Sequence, residues 1–90
     1  MGDIMAEELG EEVGVVTHFF SNIDVGVIKL TNGSLKEGDE IRIKGATTDF
    51  KQEVSSMQIE HEDVYEVEKG QEFGMKVKKR VRKHDKVYKL

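Results

Sequence analysis

The chain has 90 residues, of which 14 are basic and 18 acidic, and 37% are hydrophobic. That length holds one compact domain with a thin core. There is no cysteine, which excludes disulfides and thiolate metal ligands, and no apolar run of the roughly 20 residues that a spanning helix needs.

The net charge of −4 is unevenly placed. Residues 1–75 hold six basic against seventeen acidic residues, a net of −11. Residues 76–90 hold eight basic residues against Asp85 alone, a net of +7. Such a split predicts either acidic-to-basic pairing inside the fold or a basic face for a polyanion.

Residues 1–11 include Asp3, Glu7, Glu8 and Glu11 and are expected to form a flexible acidic tail. They lack the charged-then-apolar pattern of a secretion signal, so a cytoplasmic location is expected. Residues 12–90 read as a single β domain. Val13–Phe20 is the first apolar run and stops at Ser21-Asn22-Ile23-Asp24, a composition that favours turns. Val25–Leu30 follows and ends at Asn32-Gly33, which supplies the positive φ of a tight turn. Lys36-Glu37-Gly38-Asp39 turns the chain into Glu40–Lys44, where Ile41 and Ile43 alternate with Arg42 and Lys44.

Phe50–Glu60 reads as one longer strand whose apolar phase changes between Val54 and Met57, predicting a bulge at Ser55-Ser56. Glu62–Gly70 reads as a loop. Phe73, Met75 and Val77 then alternate with Gly74, Lys76 and Lys78, and a last strand lies near Lys86–Leu90. About six short strands, roughly 8–12 residues apart and without a covering helix, must close their sheet or fold it double to bury one face. The fold class expected is all-β: a small, closed, antiparallel six-stranded barrel. Val15, Ile28, Leu30, Ile41, Ile43, Val54, Ile59, Phe73 and Val77 are its expected core.

Three segments carry a family resemblance. Gly33-Ser34-Leu35-Lys36-Glu37-Gly38-Asp39-Glu40-Ile41-Arg42-Ile43-Lys44-Gly45 resembles the second domain of elongation factor Tu, where Leu-Lys-x-Gly-Asp turns the chain into a strand closing on glycine. Val54-Ser55-Ser56-Met57-Gln58-Ile59-Glu60-His61 is similar to that family's fourth strand, and Lys69-Gly70-Gln71-Glu72-Phe73-Gly74 to the turn that follows. The resemblance covers about residues 13–90 and implies a Greek-key-like barrel.

It also implies that Gln71 and Glu72 occupy the polar positions of a loop that holds the aminoacyl end of tRNA. The companion loop of the family carries glycines and an arginine. Here it is Ser21-Asn22-Ile23-Asp24, with no cation for a phosphate. No phosphate loop or guanine-reading motif is present, so nucleotide binding is not expected. Relatives of this barrel also occur as accessory C-terminal domains in collagenase-like peptidase proteins.

The sharpest site candidate is the basic run 76–83. Read as a strand, it sends Lys76, Lys78 and Arg80 to one face, and Arg82, Lys83, Lys86 and Lys89 extend that face toward an RNA backbone. The alternative is a self-neutralising surface, with Glu60, Glu62, Asp63, Glu66 and Glu68 paired against these cations. The phenylalanines serve either as core or as platforms for bases. His61-Glu62-Asp63 lacks a third ligand, so neither a metal nor any other cofactor is expected. No nucleophile with an aligned base is evident either. The function expected is a non-catalytic binding module linked to translation or RNA handling, with RNA or a ribosome-associated protein as partner. The alternative is a protein–protein adaptor in which the acidic tail and loop recruit a basic partner.

Overall fold

The computed structural model describes residues 10–90. Most of the expected acidic tail, residues 1–9, lies outside the described residues. Glu11, the last residue of that expected tail, opens the first strand. The elements are β1 (Glu11–Phe20), β2 (Val25–Leu30), β3 (Ser34–Lys36), β4 (Glu40–Lys44), β5 (Asp49–Glu53), β6 (Met57–Ile59), β7 (Glu62–Val64), β8 (Glu66–Glu68), β9 (Glu72–Lys76) and β10 (Lys86–Lys89), with no helix among the described residues.

Eight strands form one antiparallel sheet in the order β5-β4-β10-β1-β2-β9-β6-β7, and β3 pairs with β8 as a separate ribbon. The sheet is an open half-barrel, which corrects the closed six-stranded barrel expected from the sequence. The correction starts at Val54-Ser55-Ser56. The chain does not merely bulge there: Ser56 adopts φ 54° and the strand breaks. Residues 49–53 stay on β4 at one edge of the sheet, while residues 57–59 pair with β9 near the other. Three residues span at most roughly 14 Å between the flanking strands, so the sheet must curl until its two ends nearly meet.

The gap left between β5 and β9 is bridged by a side chain rather than a ladder. Gln52 is buried; its Nε2 donates to the Lys76 carbonyl at 3.0 Å, and its Oε1 accepts from the Lys78 amide at 2.9 Å. One carboxamide thus supplies the donor and acceptor that a neighbouring strand would have offered.

The core fills the concave side. Val13, Val16, Ile28, Leu30, Leu35, Ile41, Ile43, Val54, Met57, Val67, Phe73, Met75, Val81 and Val87 are each at most 1% exposed. Leu35 and Val67 face each other across the β3–β8 ribbon, so the ribbon closes the open flank with an apolar pair. Val15 is a correction, being only half-buried. Register shifts at Glu12/Gly14 and Val16/His18 put two bulges in β1, and each reverses which side chains face inward. Ile59 is partly buried against the core.

Candidate docking surfaces

Two exposed large apolar side chains lie together beside one cavity. Phe20 and Ile23, at the β1–β2 turn, are 48% and 50% exposed. With Val25, Val27 and Gly74 on one side and Gln58, Glu60 and His61 on the other, they line a cleft of about 270 Å³. The register explains the floor. Phe20 pairs with Val25, Val27 with Gly74, and Gly74 with Gln58, so these residues cross the sheet on its outer side. Gly74 keeps the floor open; a Cβ there would lie 3.3 Å from the Val25 Cγ1.

Both rims rest on unusual backbone. Asp24 closes the β1–β2 turn at φ 55°. Glu60 and His61 form the two-residue β6–β7 turn at φ 51° and 68°, conformations that favour glycine or asparagine. The His18 ring stacks on Phe20 at 6.2 Å between centroids, holding the aromatic rim in place. Sequence reading placed Phe20 among core or base-stacking candidates and passed over Ile23. An isoleucine in a turn otherwise made of Ser, Asn and Asp was the available signal, because turns rarely spend a large apolar side chain on solvent.

The predicted basic face is split. β9 ends at Lys76, and residues 77–85 are irregular, so strand alternation does not govern Lys78, Arg80, Arg82 and Lys83. All four are exposed, as is Lys76. Val77, Val81 and Asp85 point inward and anchor the loop between them. Lys86 and Lys89 belong elsewhere. On β10, Lys86 Nζ lies 3.5 Å from Glu12, and Lys89 Nζ lies 3.5 Å from Asp39 and donates to the Ser34 carbonyl.

The predicted pairing of the basic run with Glu60, Glu62, Asp63, Glu66 and Glu68 is absent among the described residues, where the ion pairs are Arg42–Asp49, Lys44–Asp49, Lys86–Glu12 and Lys89–Asp39. The family-loop candidates are tied internally. Gln71 Oε1 accepts from the Glu68 amide at 2.8 Å, and Glu72 Oε2 accepts from the Thr17 hydroxyl at 2.8 Å. No group of three or more His, Asp or Glu among the described residues is arranged to hold a metal ion.

The pattern described as elongation factor Tu domain 2 matches residues 24–83, two thirds of the chain. The chain belongs to that family. An uncharacterized protease of Methanocaldococcus jannaschii is 44% identical over 80 residues, which are 88% of this chain and 19% of that protein. A collagenase of Porphyromonas gingivalis is 37% identical over 79 residues, 87% of this chain and 22% of its own length. The chain therefore spans about a fifth of the length of these curated relatives.

The C-terminal domain of a Geobacillus thermoleovorans protein classed as a U32 peptidase superimposes with a TM-score of 0.82 at 19% identity, covering 89% of this chain and 92% of that domain. This likeness shows the same small β fold. The relatives overturn the expected link to translation or RNA handling, because they are named as protease and collagenase. The family resemblance correctly indicated the fold type, but the role did not travel with it.

Proposed function

We propose that this chain is an accessory domain of the peptidase type, and that it seats on a larger peptidase-like body through the cleft bounded by Phe20 and Ile23. The observation that carries this reading is the exposed apolar rim over a glycine floor, on a domain that is about a fifth of each curated relative. A large aromatic and a branched aliphatic side chain at a concave site are the kind of anchors that dominate protein interfaces once desolvated. The opposite rim of Gln58, Glu60 and His61 supplies polar groups that fix orientation. In this reading the chain contributes docking and the larger body contributes bond cleavage.

The test pairs this chain with the M. jannaschii relative lacking its matching 80 residues. Sedimentation velocity is expected to reveal a one-to-one complex. Phe20→Ser with Ile23→Ser should weaken that complex by about ten-fold or more while leaving the melting temperature unchanged. A chain that never sediments with the larger body would refute the reading, as would a complex indifferent to both substitutions.

A further inference from the structure

We infer that the basic loop 76–83 docks on the acidic β6–β8 region of a second copy of this chain, giving a salt-sensitive head-to-tail association. The inference does not rest on the docking cleft, although Glu60 borders both surfaces. Lys76, Lys78, Lys79, Arg80, Arg82 and Lys83 are all exposed, and none of their side chains joins an ion pair among the described residues. The loop is not free to search for one. Gln52 holds the Lys78 amide, Asp85 Oδ2 accepts from the Arg82 amide at 2.8 Å, and the His84 amide donates to the Val16 carbonyl at 2.8 Å. Val77 and Val81 are buried beneath it. Six cations are therefore presented on a backbone anchored at both ends and in the middle.

The acidic complement lies on the β6–β8 segment. Glu60, Glu62, Asp63, Glu66 and Glu68 are exposed on the β6–β8 segment, and none of the four ion pairs among the described residues involves them. Asp63 accepts only from the Gln58 side chain, at 2.9 Å. β9 adjoins both regions. Its Lys76 end leads into the basic loop, and β6 pairs with its Met75 and Gly74 before turning away at Glu60. Opposed charges that stay unpaired within one chain are free to pair between copies, one copy's loop against the next copy's acidic segment. A contact in which each loop meets only the next copy's acidic segment is heterologous, so it grows into a ring or an open chain of copies. With a net charge of only −4, overall repulsion between copies is small beside the local split of −11 and +7.

The experiment is sedimentation of the whole chain over a concentration and salt series. The weight-average mass is expected to rise with concentration at about 20 mM salt, where charges reach roughly 20 Å, and to return to the monomer at about 0.5 M, where they reach roughly 4 Å. Two neutralised variants sharpen the test. Lys78→Gln with Lys79→Gln and Arg80→Gln removes three of the loop's six cations. Glu62→Gln with Glu66→Gln and Glu68→Gln removes three of the acidic segment's five carboxylates. Each variant alone should stay monomeric at low salt, with an unchanged circular dichroism melt. Mixed, they should form a one-to-one complex that grows no further, because one retains the acidic segment and the other the loop. Both variants carry net negative charge, so general attraction does not produce that result. A parent chain that remains monomeric at low salt overturns the inference, as does a mixture that fails to pair. Retention of a short RNA by the loop of a monomeric parent overturns it too, assigning the cations to nucleic acid.

Discussion

Thr48, Gln52 and Asp85 are the polar or charged side chains buried among the described residues. Asp85 packs against Gly45 so closely that a Cβ at residue 45 would collide with its carboxylate, which explains the glycine that ends the β4 segment. Gln52 is the side chain most open to test. Gln52→Ala removes the partners of the Lys76 carbonyl and the Lys78 amide, and is expected to lower unfolding free energy by about 1–3 kcal/mol, read as a shift in the urea midpoint. Asp49 makes a pH prediction. The Arg42 guanidinium, hydrogen-bonded at 2.8 Å, holds its carboxyl below the ordinary 3.8. A depressed carboxylate stabilises the fold above its unfolded value, and that contribution disappears as pH falls through the lower folded value. Asp49→Asn should therefore flatten the loss of stability below about pH 4 in acid titrations, with little change at pH 7, where exposed pairs contribute little.

The β6–β7 hairpin shows what local backbone costs. Ile59 pairs with Glu62, leaving Glu60 and His61 as a two-residue turn with both φ values positive. Side chains with a Cβ pay for that conformation, whereas Asn-Gly adopts it freely. Replacing Glu60 and His61 by Asn and Gly is expected to raise stability by about 1–2 kcal/mol, measured in urea at unchanged m-value. Because both residues line the cleft, the same variant should weaken docking of the larger body if that strain serves the site. Retained docking would make the turn a local matter. The reading of 62–70 as a loop missed β7 and β8 for a related reason. Glu62–Val64 and Glu66–Glu68 are three-residue strands rich in glutamate, a composition that strand propensity disfavours and that ladder pairing overrides.

Across the whole molecule the chain ends hold the middle of the sheet. β10 lies between β4 and β1, pairing Val87 with Ile43 on one side and with Gly14 on the other. Lys86–Glu12 and Lys89–Asp39 bind the same strand to its surroundings. Removing residues 86–90 would leave two ladders unpaired and take the buried Val87 out of the core at once. The truncated chain is expected to lose its cooperative thermal transition and its dispersed amide spectrum. A truncated chain that still melts cooperatively would mean that the remaining strands close over the gap by themselves.

Strand positions were legible wherever side chains alternate within one segment. Val25–Leu30 and Glu40–Lys44 agree with the structure residue for residue, and the last strand to within one residue. The turns at Asn32-Gly33 and Gly38-Asp39 were equally readable, because glycine marks positive φ locally. The family resemblance came from the same local spacing. Long-range registers were not legible. The paired bulges of β1 turned Val15 partly outward, and the break at Ser56 sent two halves of one apparent strand to opposite ends of the sheet. Pairing partners are chosen by contacts far apart in the chain, which alternation does not encode. The cleft arises in the same way: Gly74 meets Val27 and Gln58 only after three strands align. The absence of the 76–83 cations from the ion pairs among the described residues is likewise a matter of tertiary placement.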